Sequence, residues 1–145
     1  MKKLFLILPI LLCLNLVGYS QTSNIKIIDL TVNSITYADT SGAIITDSGV
    51  NVNFKISDLT TANKALILIG TQQNLGDVKS VEATFTQIGS NYYLSYSGNQ
   101  YMIVAGMANI NIELNQTEQN TYNYITVYVE DNQTNTTTKL YFNKQ

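Results

Sequence analysis

An all-β domain, folded as an antiparallel β-sandwich of about seven to nine strands, is what this sequence predicts, on three observations. Apolar and polar residues alternate with period two in several runs, turn residues recur between those runs, and helical periodicity is hard to find. No segment repeats another and no linker divides the chain, so a single sandwich is expected.

The first residues stand apart from that fold. Lys2 and Lys3 form a positive n-region, Leu4 to Val17 is almost unbroken apolar sequence, and Gly18-Tyr19-Ser20-Gln21 follows with small and polar residues. This is the layout of a secretory signal peptide, with cleavage expected after Ser20 or Gln21. Residues 1–21 are therefore assigned to the signal and 22–145 to the domain. The apolar run is broken by Pro9 and Asn15 and falls short of the roughly 20 residues a spanning helix needs, so no transmembrane anchor is expected. Cys13 lies inside the run behind Leu12, where a lipid-attachment cysteine would follow a small residue, and reads as an ordinary hydrophobe. Export with no cysteine beyond residue 13 suits the bacterial envelope: periplasm, cell surface or medium. The Ser20-Gln21 ending resembles signal peptides common in Bacteroidetes.

Along the domain, a first strand is expected over Ile25 to Val32, with the alternation slipping at Ile28-Asp29 as a bulge would make it. Val50, Val52, Phe54 and Ile56 alternate with Asn51, Asn53 and Lys55. Ala65 to Ile69 is apolar on both faces, as in a central strand covered on both sides. Ala108, Ile110, Ile112 and Leu114 alternate with polar residues, as do Ile125, Val127 and Val129, and then Leu140 and Phe142. Turn signals separate these runs at Ser41-Gly42, Asp47-Ser48-Gly49, Gly76-Asp77, Gly89-Ser90-Asn91, Ser97-Gly98-Asn99 and Asp131 to Asn135.

Composition removes most chemistries. The chain has no histidine, and the domain has no cysteine or arginine. Ser-His-Asp and Cys-His nucleophile arrangements and zinc sites of nitrogen and sulfur are thereby excluded. Six lysines against ten carboxylates form no basic stripe, so nucleic acid is not an expected partner. The glycines are isolated turn residues and make no phosphate loop, and no cofactor is expected. Glu82, Glu113, Glu118, Glu130 and Asp131 would be the acids of a glycosidase, but they read as solvated charges, and no enzyme is expected. Glu130, Asp131 and Asn135, with Asn132, are hard oxygen ligands that calcium could use, although the spacing fits an ordinary Asp/Asn turn. Asn-x-Thr triplets begin at Asn115, Asn132 and Asn135, and would be glycosylation acceptors in a eukaryote.

The stretch from Tyr122-Asn-Tyr124-Ile-Thr-Val-Tyr-Val-Glu-Asp131 through Asn135, with Thr138-Lys-Leu-Tyr-Phe142 returning, resembles the final hairpin of bacterial immunoglobulin-like domains. Thr134 stands where such turns often carry glycine, and there is no core tryptophan or disulfide. The resemblance implies an immunoglobulin-like sandwich in which the Ala65–Ile69 strand neighbours the strand of Tyr124. With Ile125, Val127 and Val129 inward, Tyr122, Tyr124, Thr126 and Tyr128 are expected to face outward, joined by Lys139 and Tyr141. Either Leu66 and Leu68, or Ala65, Ile67 and Ile69, would lie beside them. Such tyrosines suit a pleated surface in any case. As an exposed patch they imply contact with a protein, a second copy of the chain included. The alternative is a carbohydrate stacked on the tyrosines. A second aromatic group, Tyr92, Tyr93, Tyr96 and Tyr101 with Met102 and Met107, has no assignable face.

Overall fold

The computed structural model describes residues 25–37 and 49–145. The expected signal peptide, Cys13 and the turns at Ser41-Gly42 and Asp47-Ser48 lie outside the described residues. Among the described residues ten strands and one short helix follow one another: β1 (Ile27–Val32), β2 (Ile35–Thr36), β3 (Gly49–Ile56), β4 (Ala62–Gly70), β5 (Lys79–Ile88), β6 (Asn91–Tyr96), β7 (Asn99–Met102), β8 (Met107–Glu113), α1 (Gln116–Thr121), β9 (Tyr124–Asp131) and β10 (Leu140–Asn143). They form two antiparallel sheets, a four-stranded one of order β2-β1-β3-β8 and a six-stranded one of order β10-β9-β4-β5-β6-β7. The chain changes sheet between β3 and β4, β7 and β8, and β8 and β9. This is an all-β sandwich of two antiparallel sheets. Among the described residues no helix is long and apolar enough to cross a membrane.

The alternating runs bury the faces expected of them. Val50, Val52, Phe54 and Ile56 of β3 meet Ala65, Ile67 and Ile69 of β4, Ala108, Ile110 and Ile112 of β8, and Ile125, Val127 and Val129 of β9 in one core. Phe54 stands edge-on to Phe85 across the sheets with ring centroids 6.4 Å apart. The slip in β1 is real: its register against β3 shifts between Ile27 and Asp29, and Ile28 is left exposed. Two polar ties join the sheets. The Asn111 amide donates to the Tyr96 hydroxyl at 3.0 Å, and Lys79 Nζ donates to the Glu113 carbonyl at 2.6 Å.

The strands number ten where about seven to nine are expected, and two further features at the turn into β9 depart from the expected pattern. The first is α1, which a pattern search for helical periodicity misses because it is only six residues long. It is built by a capping box: the Asn115 side chain accepts from the Glu118 amide at 2.9 Å, and the Glu118 carboxylate accepts from the Asn115 amide at 2.7 Å. The second is Tyr122, which does not face outward but is 1 % exposed, among the largest fully buried side chains. Tyr122 is the C-cap of α1, so the strand alternation that would turn it outward begins only at Tyr124. Its ring plugs the corner where the chain passes from β8 through α1 to β9, beneath Lys144 Nζ at 4.5 Å. Lys144 Nζ also donates to the Gln119 carbonyl. Removing this ring leaves a cavity, whereas Tyr124 is only half-buried. Tyr122→Ala is expected to cost about 3–5 kcal/mol in urea unfolding, and Tyr124→Ala about 1 kcal/mol.

Candidate functional site

The strand registers lay the expected residues out in rows on the outer face of the six-stranded sheet. Tyr141, Thr126, Leu68 and Ser80 form one row across β10, β9, β4 and β5. Tyr128, Leu66 and Glu82 form the next, with Lys139 Nζ 5.0 Å from the centre of the Tyr128 ring. Glu130, Lys64 and Thr84 form a third. Tyr124 lies opposite Asn143 and Gly70 at the other end. Of the two leucine alternatives, Leu66 and Leu68 are the outer pair, because Ala65, Ile67 and Ile69 are in the core. Tyr124, Tyr128, Tyr141, Lys139, Leu66 and Leu68 are thus brought to one face, all half-buried, and Tyr122 is not.

The face is not one continuous strip. The connection between β4 and β5 folds back over the Thr126 row. Its Asn74 amide donates to the Thr126 hydroxyl at 3.1 Å, and the Tyr141 hydroxyl donates to the Asn74 side-chain oxygen at 2.9 Å. Thr126 is fully buried as a result, against the outward exposure its place in the alternation predicts. Gly70 permits the return, since a side chain there would collide with the Leu75 carbonyl oxygen. Asp77 closes the loop by accepting from the Thr71 amide at 2.9 Å and the Thr71 hydroxyl at 2.7 Å. Leu75 is left exposed on this loop. Reading Gly76-Asp77 as a simple turn misses this cover, although a carboxylate six residues from a threonine, with glycine beside each, is the available signal.

Charge is concentrated beside the apolar pair. Lys64 Nζ lies 3.2 Å from Glu82 and 3.4 Å from Glu130, and the Glu82 hydrogen bond holds the ammonium above its usual range. Burial, with Glu130 nearby, pushes the Tyr128 phenol up, so it stays neutral at ordinary pH. Glu118 is taken by its cap and by Lys79 at 3.4 Å. Glu113 stays exposed beside a polar cleft of about 800 Å³ that Asn51, Asn111 and Lys79 also line.

The calcium candidates do not converge. Glu130 points to Lys64, while Asp131 accepts from the Gln133 and Asn135 amides at 2.9 Å and from the Asn135 side chain at 3.3 Å. This is the hairpin turn of β9 and β10, satisfied from within. Among the described residues no group of three or more His, Cys, Asp or Glu is placed to hold a metal. Thr134, standing where glycine is common, has φ of 65°, a left-handed conformation that a β-branched residue adopts only under strain. In the second aromatic group, Tyr96 stacks on Tyr101 on the inner face with centroids 4.7 Å apart, whereas Tyr93 and Met102 pair on the outer face.

No family model, curated protein or solved structure matches the chain.

Two consequences are measurable. Because its hydrogen bonds to Thr71 hold Asp77 below its ordinary value of 3.8, its stabilising effect is complete above that pH. The effect is lost as the pH falls through the lower value the group has when folded. Asp77→Asn is expected to remove this acid dependence and to speed hydrogen exchange at the Asn74 amide, read by NMR. Thr134→Gly relieves left-handed strain and is expected to raise stability by about 1 kcal/mol in urea unfolding.

Proposed function

We propose that the chain is an exported, non-catalytic binding or structural module of the cell envelope, and that Tyr128 and Leu66, flanked by Lys139, Tyr124, Tyr141 and Leu68, contact a protein partner. The observation that carries this reading is the pairing of Tyr128 with Leu66 in the middle of the large sheet, beside the Glu130–Lys64–Glu82 charges. An apolar centre with a charged rim is the anatomy of a protein interface. The non-catalytic part of the reading is supported by the engagement of four of the five acids, Glu82 and Glu130 with Lys64, Glu118 with its cap and Lys79, and Asp131 with its own loop, while Glu113 is exposed beside the polar cleft. Between protein and carbohydrate, the ammonium of Lys139 over Tyr128 favours protein, because a stacked sugar needs that ring.

The test is a photo-reactive phenylalanine analogue at position 128 in the producing cell, with mass spectrometry of the adduct. A discrete protein adduct that disappears on Leu66→Lys is the expected outcome. Adducts to glycan alone would replace this reading with the carbohydrate one, and no adduct above background would overturn both.

A further inference from the structure

Each sheet has two outer edges, and an open edge is a template for another strand unless something blocks it. Among the described residues, three of the four carry a device of that kind. β2 is two residues long. On β8, the Asn111 amide is taken by the Tyr96 hydroxyl and the Glu113 carbonyl by Lys79 Nζ. β10 is bracketed by Lys139 and Lys144. Among the described residues, the fourth edge, β7, carries no such device. Its four residues are all exposed, and no charged residue occurs from Ala83 to Ile112. Three of the large apolar side chains exposed in this structure cluster there: Tyr101 at 42 %, Met102 at 54 % and, just beyond, Val104 at 62 %.

The hydrogen-bond phase of the strand is set. The Ile103 amide donates to the Tyr92 carbonyl at 2.8 Å, so by alternation Asn99 and Tyr101 direct their backbone groups to β6. Gln100 and Met102 direct theirs to the open edge. We propose that β7 is a self-association edge, at which two copies of the chain pair β7 with β7 antiparallel about a twofold axis.

In that arrangement Gln100 lies opposite Met102 of the partner subunit, each exchanging amide and carbonyl, and Tyr101 meets Tyr101 of the partner subunit at the axis. The six-stranded sheet then runs unbroken through both copies. A second copy is the fitting occupant for two reasons. A twofold pairing makes the same strand supply every donor and every acceptor. An uncharged edge offers a charged partner nothing to recognise, while it meets its own copy without like-charge repulsion. This surface is separate from the Tyr128 face, so either can fail without the other.

Sedimentation velocity over a range of concentrations is the test, with circular dichroism to confirm folding of each variant. The unaltered protein should shift toward twice the monomer mass as concentration rises. Met102→Lys and Gln100→Pro should both remain monomeric. Proline at 100 removes only an outward amide, and Met102→Lys decides alone if the proline variant does not fold. Leu66→Lys should dimerise like the unaltered protein. Tyr101→Cys on a Cys13→Ser background should oxidise to a disulfide-linked dimer. A protein that stays monomeric throughout, or a dimer that survives Met102→Lys, would sink the proposal, including the case in which a strand of another protein takes the edge.

Discussion

Where β4 lies against β9, Ala65, Ile67 and Ile69 stand opposite Val129, Val127 and Ile125, and all six side chains are fully buried. A shift of β4 by one residue in this pairing would turn its Ala65, Ile67 and Ile69 to solvent and bring Leu66, Leu68 and Lys64 into the core. The cost of burying the Lys64 ammonium alone forbids it. The register of the central pair is thus specified by what it excludes as much as by what it buries. The rows of the outer face inherit their composition from it: Tyr128 meets Leu66, and Glu130 meets Lys64, only in this register.

Outside that pair, the molecule is kept together and soluble with few charges. On the outer face of the smaller sheet the Asn109 amide donates to both Asn53 and Asn51, at 2.6 and 3.2 Å, and Asn53 donates to Asn51. Neutral amides satisfy one another there across β3 and β8, where another protein would place opposite charges. With no disulfide available to the domain, cohesion rests on the common core, the Tyr96 and Lys79 ties between sheets, and the plugged corner at Tyr122.

Much of this was legible in the chain. The strands with strict alternation, β3, β8 and β9, reveal both their existence and their inward faces, because period two is a direct consequence of the pleat, whereas the doubly apolar β4 reveals its existence but not which face turns inward. The β1 bulge is visible for the same reason, as a break in phase. What is not legible belongs to features without a period. Asn115 and Glu118 are separated by the spacing of a capping box, but no apolar run follows to mark a helix, and the same asparagine begins an Asn-x-Thr triplet. Tyr122 looks like part of a strand because it is two residues before Tyr124, and only the helix end shows otherwise. The tight turns at Asn33-Ser34 and Ala105-Gly106, with positive φ at all four residues, use side chains that only weakly announce them. The cover over Thr126 is long-range, joining Asn74 to a strand far along the chain.

The joining of β3 to β8 also has a consequence for time. Their asparagines bond across separations of 56 and 58 residues, and contacts this distant form late because the intervening chain must be closed into a loop first. That intervening chain includes the uncharged stretch from Ala83 to Ile112. While β3 waits for its neighbour, the stretch least protected by charge is also the one not yet folded away, which is when chains of this kind adhere to one another.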